Sequence, residues 1–357
     1  MKKYYSCRAF RLLIVLTLLV SLGAFTSPGF AQKSKALKVT EPDPMSAENI
    51  QKILDSAYAK FKDVKEGKNA DYIKELARVD PNIYGIAIVT TDGKIYTKGD
   101  LQSAVSIQSI SKVFTMARVI EEQGSKAIMD KIGVDATGMR FNSIVAVELQ
   151  KGKEINPLVN PGAIAATSMV SGTDSAAKWK NILDTHSEFA GRSLSLDIPV
   201  YLSEAGDNLR NQAIAHLLYA YGRMYFDPVE ATDIYTKQCA ISVNAKDMAI
   251  MAATLANGGV NPITKKKVVS PLTVQHVLPV MATAGLYDDS GQWLYITGLP
   301  AKSGVGGGII AVAPGKFGIA VISPPLSPAG NSIKAIYTIK YIVEALDVNP
   351  YDIKPKY

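Results

Sequence analysis

Apolar residues recur at two periods along the chain, and the changes of period mark out its elements. Ser46 opens a first helix, with Ile50, Ile53, Leu54, Ala57, Tyr58 and Phe61 on one stripe. Asn69 to Val79 predicts a second, shorter helix containing Tyr72. Tyr84–Thr90 and Lys94–Lys98 are β-rich runs around Asp92-Gly93, the signature of a hairpin. An extended segment at Ile107 then runs into a helix, where Val113, Phe114, Met116, Ala117, Val119 and Ile120 repeat at helical spacing. The pattern from about 113 to 257 is mainly helical, with apolar runs at 142–149, 164–170, 212–225 and 245–256. Gly258-Gly259 stops the last of these.

Strand character returns at Lys302–Ala313 and Phe317–Ser323, which flank Pro314-Gly315 as a second hairpin. A helix from Asn331 to Leu346 closes the chain, with Ile333, Ile336, Tyr337, Val343 and Leu346 as its apolar positions. Strands near both ends around a helical middle predict an α+β layout, in which both ends of the chain build one sheet and a helical region sits beside it. No internal repeat or low-complexity tract interrupts this plan, so residues 46–357 read as a single domain.

The first residues follow a different pattern. Lys2, Lys3, Arg8 and Arg11 form a basic region, Leu12–Leu22 is almost unbroken apolar sequence, and Gly29-Phe30-Ala31 offers a cleavage site before Gln32. The apolar run is shorter than the roughly 20 residues of a membrane span. Residues 1–31 therefore predict a signal peptide, 32–45 a flexible linker, and the mature protein a periplasmic or secreted one without a stable membrane anchor. Of the formal net charge of +7, four positive charges lie in that segment, which leaves about +3. This is too mild to imply a nucleic-acid partner. Only one of the two cysteines, Cys239, survives cleavage, so no intramolecular disulfide forms and stability must come from a core. His186, His216 and His276 are scattered without metal-ligand spacing, and no metal or cofactor is expected.

Candidate chemistry begins at Ser109-Ile110-Ser111-Lys112, at the start of a helix. A serine there can form an acyl-enzyme, and a lysine one turn later can act as its base if burial lowers its pKa. Ser-x-x-Lys is the first signature of the penicillin-binding and β-lactamase class of enzymes. It is also short: Ser175-Ala176-Ala177-Lys178 repeats it in a polar stretch. Lys302-Ser303-Gly304 matches the strand that lines such sites, with small residues and backbone N–H groups suited to an oxyanion hole. Ser242-Val243-Asn244 fits the middle signature but reads better as a helix cap. Tyr235 is the alternative there, a phenol able to relay protons.

The motifs together resemble the serine-dependent glutaminases. The resemblance is carried by Gln108–Lys112, Asn156–Ile164, Ser203–Asp207 with Asn208 and Asn211, Tyr235–Cys239, Ala252–Gly259, Gly285–Asp288 and Pro300–Val305, in family order from about Ile50 to Leu346. It implies a β-lactamase-like serine hydrolase fold and hydrolysis of L-glutamine to L-glutamate and ammonia. It also implies Ser109 as nucleophile, Lys112 as base and Tyr235 as proton-transfer partner. Tyr72, Asn160, Glu204, Asn211, Tyr287 and Val305 fall on substrate-binding positions, together with Ser109 and Tyr235. Homodimers or homotetramers are common among such enzymes. Pro161 and Gly307 depart from the family pattern, the first by removing an N–H beside Asn160. The alternatives are a periplasmic penicillin-interacting carboxypeptidase or β-lactamase, and a non-catalytic amino-acid-binding protein on the same fold.

Overall fold

The computed structural model describes residues 43–355 apart from 152 and 154. The predicted signal peptide and the linker up to residue 42 lie outside the described residues. Among the described residues there are eight strands: β1 (Gly85–Thr90), β2 (Ile95–Gly99), β3 (Val105–Ser106), β4 (Ser195–Leu196), β5 (Ile241–Val243), β6 (Ala301–Gly304), β7 (Gly308–Ala313) and β8 (Phe317–Ile322). Five of them form an antiparallel sheet in the order β2-β1-β8-β7-β6. The early hairpin thus joins the late strands through β1 and β8, with Ile88 opposite Ile319, as the apolar pattern at the two chain ends implied.

Both faces of this sheet are covered, which explains why β1, β7 and β8 are apolar at nearly every position rather than alternating. Ile86, Ile88, Ile309, Phe317, Ile319 and Val321 point to one side, where they pack with Ile50, Leu54, Ile339 and Ile342 of the first and last helices, Ala47–Phe61 and Ile333–Leu346. Ala87, Val89, Ile310, Val312, Ala320 and Ile322 point to the other, toward the helix Ala245–Ala256 and the helical region. Each large buried aliphatic or aromatic side chain contributes about 1.5–3 kcal/mol. The side chains of Ser46 and Ser332 cap these outer helices. Gly318 allows the close approach on the inner side, since a Cβ there would lie 2.1 Å from the backbone nitrogen of Ala253.

Three expectations change. Lys302–Ala313 is two strands, β6 and β7, because Val305-Gly306-Gly307 folds into a tight turn. Gly307 has φ +95°, and a Cβ there would lie 2.4 Å from the Cα of Pro324, so the turn accepts only glycine. The helix predicted over Asn69–Val79 shrinks to Lys74–Ala77. The Asn69 side chain bonds the carbonyls of Leu76 and Val79 instead, and Lys68 pairs with Leu326 in an isolated bridge, which leaves Tyr72 in a loop. Helices at Pro271–Ala284 and Ser290–Thr297 lie beyond the stretch read as helical. Among the described residues no helix is long and apolar enough to cross a membrane.

Candidate active site

A second, small sheet of β3, β5 and β4 carries the chain into the nucleophile motif. The backbone N–H of Ile107 bonds the carbonyl of Ile241 at 2.8 Å, a 3-10 turn follows over Gln108–Ile110, and the helix Ser111–Gln123 begins directly after it. The bend is made at Gln108, whose φ of +49° is rare outside glycine and costs on the order of 1 kcal/mol. Packing holds it there. Gly304 and Gly306 bring the β6 edge against this backbone: added Cβ atoms would lie 2.7 Å from the carbonyl oxygen of Ile107 and 2.3 Å from that of Ser106. Val305, between the two glycines, is thereby set into the same cavity wall as Ser109.

That cavity has a volume of about 260 Å³ and gathers Tyr72, Ser109, Asn160, Glu204, Asn211, Tyr235 and Val305 from seven separate segments. Lys112 lies beneath it, 1% exposed. Its Nζ donates to Asn160 Oδ1 at 2.7 Å, and the Tyr235 hydroxyl donates to the same oxygen at 3.1 Å. Asn160 Nδ2 in turn donates to Asn211 Oδ1 at 3.0 Å, so a single side chain links the base candidate to the cavity lining. Burial pushes the Lys112 ammonium from its ordinary 10.5 down to about 8. Burial also holds the Tyr235 phenol well above its ordinary range, so it is a proton donor at neutral pH.

Glu204 ends the helix Ile198–Ala205. Burial raises its carboxyl to about 7, although Gln108 Nε2 donates to it at 3.3 Å. It is an acidic group waiting for a cation to replace lost water. Pro161 occupies the first turn of the helix Asn160–Met169, where its missing N–H would have had no helical partner, so it leaves Asn160 in place.

Tyr287 stands apart from the cavity lining and reaches Ser109 through its hydroxyl. Burial pushes its phenol up to about 12, against the opposing effect of hydrogen bonds with Ser109 and Ser303. Its backbone, like that of Gln108, has positive φ, +54°. Fully buried Asn331 clamps this turn, accepting from Ser303 Oγ at 2.5 Å and donating to the carbonyl of Leu286 and to Asp289 Oδ2. Lys302 is buried as well, its Nζ 4.1 Å from the Tyr287 ring centroid and bonded to the carbonyl of Ser303. Burial, and then the charge of Lys112, hold it well below its ordinary range.

The second Ser-x-x-Lys proves structural: Lys178 donates to the carbonyls of Ser168 and Val170 at the end of the helix Asn160–Met169. Asn244 caps the helix Ala245–Ala256 in a capping box with Asp247. Phe141, Asn142 and Arg210 also line the cavity and were not singled out from the sequence, because each lies in a loop or on a helix face with no chemical signature. Among the described residues no group of three or more His, Cys, Asp and Glu side chains is placed to hold a metal.

A family model for glutaminase matches residues 67–351. The chain belongs to the glutaminase family. A glutaminase of Colwellia psychrerythraea is 55% identical over 300 residues, covering 84% of this chain and 96% of that protein. The solved structure of a probable glutaminase, ybaS, superposes with a TM-score of 0.85 at 45% identity, covering 86% of this chain and 99% of that one. A structure of Mglu in its glutamate form gives 0.81 at 33% identity, over 88% of this chain and 71% of that one. The fold is the β-lactamase-like one, and the enzyme is an amidohydrolase that converts L-glutamine to L-glutamate and ammonia. Family membership sets aside both the penicillin-interacting and the non-catalytic alternatives.

Proposed function

We propose that this glutaminase works through a γ-glutamyl ester on Ser109. Ser109 Oγ attacks the side-chain amide carbon while Lys112 takes its proton, with Tyr235 as the hydroxyl partner on the shared Asn160 oxygen. The backbone N–H groups of Ser109 and Val305 hold the tetrahedral oxyanion. Ammonia leaves with a proton, and water attacks the ester with Lys112 again as base. The observation that carries this reading is the Lys112–Asn160–Tyr235 chain beneath Ser109, with Lys112 lowered to about 8. Rapid-quench mass spectrometry with L-glutamine should find a γ-glutamyl adduct on the peptide containing Ser109. An adduct on another residue would sink the proposal.

Glu204 binds the substrate α-ammonium, and Asn160, Asn211 and Tyr72 hold the remaining polar groups of the amino-acid head. The glutamate form described for Mglu supports a site shaped for such a head. Glu204→Gln keeps the shape and removes the charge. It should raise KM by about 10²-fold or more while lowering kcat much less, as expected for a lost charge-assisted contact. A large fall in kcat at unchanged KM would reassign Glu204 to the chemical step.

The enzyme is exported and cleaved after Ala31, a reading supported by the basic, apolar and small-residue order of residues 1–31. Expression with the full leader in a Gram-negative host should give a periplasmic protein that begins at Gln32. A cytoplasmic protein with an intact N-terminus would overturn this. The working form is a homodimer or homotetramer. Ile198 and Leu202, one helical turn apart, and Leu209 are 53%, 61% and 73% exposed, which suits an apolar contact with a second copy. A monomer mass by light scattering would refute it.

A further inference from the structure

A chain of buried polar side chains lies behind the nucleophile and takes no part in the chemistry described above. Gln238 is fully buried on the helix Pro228–Cys239, three residues after Tyr235. Its Oε1 accepts from Thr115 Oγ1 at 2.8 Å and from Thr167 Oγ1 at 3.2 Å, which fills both lone pairs and fixes the way the amide faces. Nε2 therefore points the other way and donates to Ser111 Oγ at 3.3 Å. Ser111, also fully buried, gives its own hydroxyl proton to the Gln108 carbonyl at 2.7 Å. The Ser111 N–H bonds the same carbonyl. Buried amides and hydroxyls destabilise a core unless every polar atom is paired. Apolar side chains would fill this space with no such requirement, so the directed chain itself calls for a reason.

The Gln108 carbonyl and the Ser109 N–H belong to one peptide unit. That unit is planar and trans, so the two groups point in opposite directions and holding one aims the other. Local propensity does not hold it, because Gln108 has φ +49°. Among the described residues, the N–H groups of Ser109 and Val305 donate to no protein acceptor, although both residues are only 7% exposed. Buried N–H groups are rarely left in that state, and two of them beside a nucleophile suit a developing oxyanion. We propose that Ser111 and Gln238 are positioning residues for the reaction. Gln238 orients the Ser111 hydroxyl, and that hydroxyl grips the Gln108 carbonyl so that the Ser109 N–H is aimed at the tetrahedral oxyanion. This rests on the oxyanion role given to Ser109 and Val305 above. Neither positioning side chain lines the substrate cavity, so both act through the peptide. Their effect falls on the transition state and not on the amino-acid head, which other residues hold.

The test compares the mature wild-type protein with Ser111→Ala, using L-glutamine, L-glutamate and the boronic acid in which B(OH)2 replaces the glutamine side-chain amide. Ser109 Oγ adds to that boron, its proton passes to Lys112, and the tetrahedral anion so formed places an oxygen where the oxyanion develops. Ser111→Ala should lower kcat by about five- to a hundredfold with KM changed less than about threefold, a part of the roughly 10²–10³-fold that a lost oxyanion donor costs. It should weaken boronate binding by about the same factor as kcat/KM and leave L-glutamate binding unchanged. Gln238→Met should act in the same way to a smaller extent. Added to Ser111→Ala it should lower kcat no further, because both act through one hydroxyl. A merely structural role would lower thermal stability and leave the ratio of boronate to L-glutamate affinity as in wild type. That result would overturn the inference, as would a fall in kcat of less than about fivefold. Should Gln238→Met not fold, Ser111→Ala carries the test alone. Ser109→Ala, measured alongside, separates the two claims. Boronate that binds wild type no tighter than L-glutamate, or binds Ser109→Ala as tightly as wild type, defeats the oxyanion reading. Tight, Ser109-dependent boronate binding that Ser111→Ala does not weaken defeats only the positioning.

Discussion

Ser109→Ala is expected to lower ammonia release from L-glutamine by about 10³-fold or more, with the fold intact and L-glutamate still bound. The magnitude follows from the role: a nucleophile that becomes covalently attached has no substitute in the cavity. Tyr235 stays protonated, and Cys239 is buried with its thiol pushed up to about 12. The fold survives because only one oxygen is removed, and Ile107 and Ile110, both 1% exposed, keep the strand-to-helix turn anchored in the core. A coupled glutamate assay measures the loss, and calorimetry with L-glutamate checks that the site persists. Activity within about tenfold of wild type would mean that another group attacks the amide.

The local pattern was enough for this prediction but not for the whole site. Ser109 and Lys112 are close in sequence, and the helix that carries them announces itself through Val113, Phe114, Met116 and Ile120, all buried. The sheet was legible for a similar reason. Asp92-Gly93 marks a turn, confirmed by φ +93° at Gly93, and the runs beside Pro314-Gly315 are too apolar to lie on a surface. The pairing of β1 with β8 is a contact between residues more than two hundred positions apart. It was inferred only from the need to bury both runs.

Pattern failed where a side chain overrode it. Nothing in the spacing of Asn69–Val79 shows that the Asn69 amide would take the carbonyls of Leu76 and Val79 and end the helix. The glycines after Val305 read as the middle of a strand until Pro324 is known to press against Gly307. Gln108 and Asn331 escaped notice as supports of the site for the same cause. Their importance lies in partners from remote segments, Glu204 for one and Ser303 with Asp289 for the other. The roles of Tyr72, Glu204 and Asn211 came from family resemblance, since on local grounds each is an ordinary polar residue. Their convergence is a product of chain closure, which no window of sequence contains.

Lys112→Met should separate activity from stability in opposite directions. Lys112 must be neutral to accept the Ser109 proton, and Glu204 must be ionised to hold the substrate ammonium. Raising the pH through about 7 and then about 8 therefore increases the active fraction twice, so log kcat/KM for wild type should climb with a slope near two below the lower value. Methionine has nearly the shape of the lysine stem and no base. It should cost about 10²–10⁴-fold in kcat, and the residual activity should lose the inflection near 8, while the Glu204 inflection should move upward because the Lys112 charge no longer favours its ionised form. Stability should move the other way. The Lys112 pKa is lowered in the folded state, so the unfolded chain binds the proton more tightly, and burying the ammonium weakens the fold most below about 8. That penalty fades as pH rises from about 8 toward 10.5. Asn160 Oδ1 is not stranded by the change, because it still accepts from Tyr235. The variant should therefore be more stable than wild type at pH 6 by on the order of 1–3 kcal/mol, with the gap closing toward pH 10. Thermal unfolding at the two pH values measures it. A variant that is both inactive and less stable at pH 6 would show that the Lys112–Asn160 bond, rather than the cost of a buried charge, dominates this part of the fold.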